Sequence, residues 1–372
     1  MPYIGPKAYI HKDRLRSNLF KIKEYVGHSN LMVVLKANAY GHGVAEIASS
    51  IKDFKGLTFA VFSIEEAIEL RELSPKNDIL IFSKMQPYYF ELALEHNFIL
   101  NLSSFEDLDY YSTSLEKFND IPRFHIKFDI GMTRLGFDVK DAEKLFNQIL
   151  NNKYLKPEGL YSHFSNADEG KLSVSEKQLR KFQSVIDLSI SKNINFKYIH
   201  CSNSGSILNI KNSYFNLVRV GMLLYGALPS DEVTDLIGVE PVMSFCGNIV
   251  NLRTVPKNTN ISYGGLYKTK EKTKIGVIQT GFADGFPRPW YEQGFVSYKG
   301  AKYKIAGRAC MDQLMVDFRD SEVSINDEVL FFGLKEDDSI PVEIIADSID
   351  TTPYVILTGI QGRTKRFLLD EG

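Results

Sequence analysis

A count constrains this chain more than any single motif does. Short apolar runs at 31–35, 58–62, 78–82, 98–102, 122–128, 158–163, 196–201 and 215–219 alternate with amphipathic segments at 43–52, 63–73, 87–96, 104–118, 138–151, 175–192 and 203–209. Several of these segments open on capping chemistry, as where Ser63 precedes Glu66 by three positions. Eight strand-and-helix units in succession predict a closed (β/α)8 TIM barrel. An open doubly wound sheet would carry a Gly-rich nucleotide turn, and the chain has neither GxGxxG nor GxxxxGKS/T.

Beyond about residue 235 the pattern changes. Strands with Gly, Pro and Asn turns follow one another without long helices, as in GNIVNLRTV, KIGVIQTG, GFVSYKG, AKYKIAG, LMVDF and EVLFFG. The fold class expected is therefore α/β: a barrel over 11–235, then an all-β domain over 236–372 to which residues 1–10 add a strand through AYIH at 8–11. At 372 residues there is chain enough for both.

Charge narrows the choice of partner. With 44 Lys+Arg against 46 Asp+Glu the formal net charge is −2, so no basic surface for nucleic acid and no acidic tail is indicated. Apolar runs such as Leu31 to Leu35 fall far short of the roughly 20 residues that span a bilayer, and the first 25 residues carry charge throughout. A cytoplasmic protein acting on small, mildly charged ligands, with no membrane partner, is expected. Cys201, Cys246 and Cys310 are widely spaced with no CxxC, which points away from disulfides or a cysteine metal site and towards packed, reduced thiols.

In such barrels ligand chemistry gathers at the carboxyl ends of the strands. Lys36 is the first residue past the apolar Val33-Val34-Leu35, in the stretch VVLKANAYGHG at 33–43. An amine half desolvated there becomes a usable nucleophile or base near neutral pH. Gly41 and Gly43 suit a tight turn, Ala37 and Ala39 leave room for a flat ligand, and the Tyr40 hydroxyl suits an anion. His163 ends the sixth strand, Asn203 and Ser204 follow the seventh, and Arg219 ends the eighth. Taken singly, His163 reads as a core histidine and Arg219 as a salt-bridged rim residue.

Together they describe a cleft. SNSGS at 202–206 opens a helix whose backbone N–H groups suit a phosphate, and Gly221 and Met222 lie where a phosphate site between strands seven and eight would be completed. A ligand with a carbonyl for Lys36 and a phosphate for that corner is required, and pyridoxal 5′-phosphate has both. A second cluster, KFDIGMTRLGF at 127–137, offers Arg134 as a fork for a substrate carboxylate. Lys127, beside apolar Ile126 and Phe128, would conflict with Arg134 unless neutral or modified.

With SYGG at 262–265, GRACMDQ at 307–313 and TTPY at 351–354, these strings resemble the alanine racemase family over essentially the whole chain. The resemblance implies a homodimer in which a pyridoxal phosphate barrel pairs head to tail with the partner's β domain. Lys36 would carry the cofactor as a Schiff base, and Tyr263 would be the opposite base, supplied by the partner subunit. Arg219 would meet the pyridine nitrogen with His163 behind it. Tyr40, Ser204, Gly221, Met222 and Tyr354 would hold the phosphate, while Arg134 and the Met311 backbone would bind substrate carboxylate. Lys127 matches a position often carbamylated in the family. The implied reaction interconverts L- and D-alanine, supplying D-alanine for peptidoglycan.

Racemisation needs a base on each face of Cα, and Lys36 and Tyr263 fill those places. Arginine cannot give up a proton, so the ring nitrogen beside Arg219 would stay unprotonated and serve as a weaker electron sink. Departures from the family pattern are Phe282 and Phe286, where tyrosine is common, and TGIQGRTKR near the end. Lost hydroxyls near the entrance would alter access or substrate range, leaving a broader racemase, acting on serine for example, as an alternative. Asp168 and Arg308 match entrance and active-site positions, though exposed charges are usually only solvated. A cofactor carrier on a single barrel would have no use for the β domain or Tyr263. A decarboxylase of this barrel type would place a carboxylate where Arg219 stands.

Overall fold

The computed structural model describes residues 3–118, 120–233 and 237–370; the expected domain boundary at 235 and 236 lies outside the described residues. Eight parallel strands, each but the last followed by a helix, form the first body. They are β2 (Asn30–Val34), β3 (Thr58–Val61), β4 (Asp78–Ile81), β5 (Ile99–Leu102), β6 (Arg123–Asp129), β7 (Gly159–Tyr161), β8 (Tyr198–His200) and β9 (Leu217–Val220). Around them run α1 (Lys12–Val26), α2 (Val44–Ile51), α3 (Ile64–Leu73), α4 (Pro87–His96), α5 (Phe105–Phe118), α6 (Ala142–Asn151), α7 (Ser173–Ser191) and α8 (Ser204–Asn209). Parallel ladders run unbroken from β9 through β2 to β8. The ring closes between β8 and β9 through the Arg219 N–H, which donates to the Ser202 carbonyl at 3.1 Å.

The helices form where the sequence repeats apolar residues at helical spacing. In α6 the buried residues are Ala142, Leu145, Phe146 and Ile149, one stripe at i, i+3, i+4 and i+7. Ser63 and Glu66 make the expected reciprocal capping box on α3. Met32, Ala60, Leu80, Ile99 and Leu217, one from each of five strands, fill the amino-terminal end of the barrel and are fully buried. Burying a large apolar side chain contributes about 1.5–3 kcal/mol. That layer makes the barrel a packed core, so a ligand can enter only at the carboxyl end.

The second body is a nine-stranded sheet built from β10 (Met243–Val255), β11 (Thr273–Ile278), β12 (Phe295–Tyr298), β13 (Ala301–Ile305), β14 (Leu314–Asp317), β15 (Glu328–Lys335), β16 (Asp338–Ile340) and β17 (Lys365–Leu369), joined by β1 (Lys7–His11). β1 lies between β10 and β17, antiparallel to the first and parallel to the second. β15 pairs back onto β10 and curls the sheet on itself. Strand alternation is plain in β13, where Tyr303 and Ile305 are buried while Lys302 and Lys304 are exposed. The domain is β-rich rather than all β, because α9 (Val342–Ser348) and α10 (Pro353–Thr358) interrupt it. Pro353 occupies the first turn of α10, where its missing N–H costs nothing.

Among the described residues no helix is long and apolar enough to cross a membrane. Cys201 and Cys246 are buried free thiols, and Cys310 is a half-buried one.

Candidate active site

Lys36 follows β2, but the turn it opens differs from the expectation. Gly41 and Gly43 do have positive φ, yet four non-glycine residues before them, Ala37, Asn38, Ala39 and Tyr40, are also left-handed, with φ of 54°, 52°, 52° and 53°. Such geometry costs about 1–2 kcal/mol per residue, so the surroundings must hold it. They do so from several sides. The Val44 N–H donates to Asn38 Oδ1 at 2.7 Å, the Ala37 N–H to Glu66 Oε1 at 2.7 Å, and Arg366 Nε to the Gly41 carbonyl at 2.8 Å. Buried His42 places Nδ1 3.1 Å from the carbonyls of both Ala39 and Tyr40 and stacks on Tyr225. A Cβ on Gly41 would lie 2.0 Å from the Leu357 carbonyl oxygen, so α10 presses directly on this turn.

The barrel interior supplies the next layer by strand alternation. Residues two positions beyond the buried plug share its inward direction. Thus Arg219 follows Leu217 on β9, while His125 and Lys127 are both on β6 and alternate with buried outward residues. Arg219 is buried, and both of its terminal nitrogens find acceptors. Nη1 donates to His200 Nδ1 at 2.9 Å, and Nη2 reaches the carbonyls of Ser162 at 2.8 Å and Cys201 at 2.9 Å and His163 Nδ1 at 3.0 Å.

A guanidinium only donates, so the tautomers follow. His200 must accept at Nδ1 and carry its proton on Nε2, which lies 3.0 Å from His125 Nδ1. His125 is then protonated on Nε2. All three imidazoles are neutral: burial pushes His163 and His200 well below the ordinary histidine value and takes His125 down to about 3.

The cluster is rich in cations. Burial, with Arg134 next, lowers the Lys36 amine, and Glu66 opposes the shift. Burial and then Arg134 and Arg219 bring Lys127 down to about 8. The Lys127 ammonium lies 5.5 Å from the Tyr161 ring centre, and the Arg219 guanidinium 5.7 Å from it. Asp129 shapes the loop that carries Arg134, its Oδ1 accepting from the N–H groups of Gly131 at 2.7 Å and Thr133 at 3.1 Å.

At the phosphate corner Ser204 Oγ lies within bonding distance of the N–H groups of Gly221, 3.3 Å, and Leu223, 3.4 Å. A Cβ on Gly221 would lie 2.7 Å from the Tyr40 hydroxyl, which explains glycine there. Asn203 lines the cavity, but its side chain is committed to the α8 cap, accepting from the Ser206 N–H at 3.0 Å. The Tyr354 ring sits 5.8 Å from the Tyr40 ring.

The structure brings Lys36, Tyr40, Lys127, Arg134, His163, Asn203, Ser204, Arg219, Gly221, Met222 and Tyr354 to the walls of one cavity of about 310 Å3. Asp168 lines it too, half-buried and with its carboxyl raised by burial, so it is more than a solvated surface charge. Tyr263 and Met311 are not among these walls. Both lie exposed on the β-domain rim, at 67% and 57%. The Tyr263 loop rests on the Met311 loop, the Ser262 hydroxyl donating to the Arg308 carbonyl at 2.6 Å.

Phe286 corrects an expectation. It is not at an entrance but buried in the β-domain core, 5.4 Å from the Phe331 ring and 6.0 Å from Trp290, and only Phe282 is at the surface. His42, His125, His200 and Tyr161 went unread in the sequence. For His125 and His200, period-two alternation against the plug layer was the available signal.

The residues present fit a flat, phosphorylated aldehyde. A partly desolvated amine shares the cavity with a buried guanidinium and a corner built from a serine hydroxyl, a tyrosine hydroxyl and a glycine whose added Cβ would crowd that tyrosine. Among the described residues no group of three His, Cys, Asp or Glu side chains could hold a metal ion.

Comparison with known proteins places this geometry. Residues 10–229 match the family model of the alanine racemase N-terminal domain, and residues 242–368 that of the C-terminal domain. The chain is 35% identical over 361 residues to the alanine racemase of Carboxydothermus hydrogenoformans, covering 96% of this chain and 98% of that one. It is also 35% identical over 361 residues to that of Halothermothrix orenii, covering 96% and 95%. The solved alanine racemase of Clostridium difficile 630 superposes with a TM-score of 0.92 at 30% identity, covering 100% of this chain and 97% of the other.

Proposed function

The chain belongs to the alanine racemase family, and on that premise we propose that it interconverts L-alanine and D-alanine with pyridoxal 5′-phosphate held in the barrel cavity. The observation that carries this reading is the meeting, in one cavity, of the Lys36 amine, the Arg219 guanidinium and the Ser204–Gly221–Tyr40 corner. Lys36 would bind the cofactor covalently, Ser204, Gly221, Met222, Tyr40 and Tyr354 would surround its phosphate, and Arg219 would face its ring nitrogen. When bound, the cofactor supplies an electron-withdrawing ring that acidifies the substrate Cα.

The protein's own groups do the rest. Lys36, its amine pushed below the ordinary lysine value by burial and by Arg134, takes or returns the Cα proton on one face. Tyr263 of the partner subunit serves the other face, which makes the working unit a homodimer. Arg134 and the Met311 backbone of the partner subunit hold the substrate carboxylate and so fix which bond at Cα faces each base. Arg219, anchored by two neutral histidines and two carbonyls, would stand beside the cofactor's ring nitrogen, and it has no proton to surrender there. Lys127 at about 8 is uncharged often enough to take up carbon dioxide. The carbamate so formed would turn its conflict with Arg134 into an ion pair. The setting is cytoplasmic, where D-alanine is made for the cell wall.

Incubation with L-alanine and separation of the products by chiral chromatography tests the proposal. Equal L- and D-alanine is expected at equilibrium. Loss of carbon dioxide, or no turnover by cofactor-loaded protein, would contradict it.

A further inference from the structure

The capping box on α3 does more than cap a helix. In an ordinary box the acidic residue reaches back to the N-cap N–H alone. Here Glu66 Oε2 accepts from the Phe62 N–H at 2.7 Å and the Ser63 N–H at 3.3 Å, while Oε1 reaches across to the Ala37 N–H at 2.7 Å. Ala37 is the residue after Lys36 and the first of the four left-handed ones. Its N–H is bound by a charged acceptor, and such bonds are roughly twice as strong as neutral ones.

We propose that Glu66 is a positioning residue for Lys36: its carboxylate fastens the left-handed turn behind the amine to the head of α3, and so sets where that amine stands and how it is charged. The inference rests on Lys36 being the group that binds the cofactor.

The electrostatic surroundings give the tie a second consequence. Arg134 from the loop after β6 and Arg219 on β9 both carry positive charge towards this cavity, and His163 beside them is neutral. Glu66, from α3, is the carboxylate that acts on the Lys36 amine against them. Removing its charge therefore favours the neutral form of the Lys36 nitrogen, both as the free amine and in the Schiff base it would form with the cofactor. A glutamine is close in shape but has a single acceptor oxygen, so it cannot serve α3 and Ala37 with both arms.

The test uses full-length, cofactor-loaded Glu66→Gln, with Ser63→Ala as the comparison that weakens the α3 cap but leaves the Ala37 tie. The readout is the pH midpoint of the bound cofactor's visible absorbance, followed beside thermal unfolding. Glu66→Gln is expected to move the midpoint down by about half a unit to one unit, and Ser63→Ala to lower the melting temperature with the midpoint unmoved. An unmoved midpoint in Glu66→Gln, or an equal shift in Ser63→Ala, overturns the proposal. Should Glu66→Gln not fold, hydrogen exchange at the Ala37 amide of the native protein decides: slow exchange supports the tie and rapid exchange overturns it. Borohydride trapping with peptide mapping, done first, separates the two levels. A label on a residue other than Lys36 would refute the cofactor assignment itself, whatever Glu66 does.

Discussion

The barrel rim and the β-domain rim are finished to different degrees within one chain. On the barrel side twelve residues singled out in the sequence line one cavity, and Arg219 in its wall has hydrogen-bond partners on both terminal nitrogens. On the β-domain side Tyr263, Leu266 and Met311 stand in solvent, each more than half exposed. Large apolar side chains clustered on a loop rim mark a surface that something covers. The contrast separates two tasks. On the proposed function, one chain would build the cofactor-binding half, and the exposed rim that carries Tyr263 would serve another copy.

The largest effect expected from breaking this contrast is at Lys36. Lys36→Ala should lose activity by about 10⁴-fold or more, because it removes both the covalent anchor and one base, and the bound cofactor's absorbance should go with it. Tyr263→Phe should cost about 10²- to 10⁴-fold in kcat while keeping that absorbance. Loss of cofactor from Tyr263→Phe would mean that the two rims are not divided as described.

Acid should act through the barrel. All seven histidines precede residue 201, and burial drives two of them, His42 and His125, down to about 3 against about 6.5 when free. Between those values the unfolded chain binds protons that the folded chain refuses. Stability is therefore complete above about pH 6.5 and falls towards pH 3 by up to about 1.4 kcal/mol per pH unit for each histidine. Denaturant titrations across that range should show a shallower slope in His125→Leu, and an unchanged slope would contradict the assignment.

The two phenylalanines give the smallest effects and the sharpest contrast within the β domain. Phe286→Tyr buries a hydroxyl in the Trp290–Phe331 cluster and should cost about 1–3 kcal/mol. Phe282→Tyr, at the surface, should stay within about 0.5 kcal/mol of neutral. Thermal unfolding of the two variants checks both.

How much of this was legible in the sequence depends on the range of the interaction. The barrel was readable because each strand and helix declares itself over a few residues, as in the stripe of α6. Lys36, Arg219 and Ser204 were readable because strand ends in a barrel share one face. The left-handed turn at 37–40 was not, since only Asn38 among Ala-Asn-Ala-Tyr is a residue that tolerates positive φ readily. It exists because His42, Glu66 and Arg366 hold it from three directions. Glu66 announced itself as a cap, and its second arm depends on two units of the barrel meeting in space. Phe286 looked like an entrance residue from its place in GFADGFPR, whereas its burial depends on β15 folding beside it.

The central claim is that Lys36 and Tyr263 of one working site come from different chains, and mixing two inactive variants tests it most directly. Lys36→Ala and Tyr263→Phe, unfolded together and refolded in equal amounts, should recover about a quarter of wild-type racemisation, because half the dimers are mixed and each mixed dimer holds one site with both residues intact. If the two residues belonged to the same chain, no mixture could assemble an intact pair and the activity would stay at that of the separate variants.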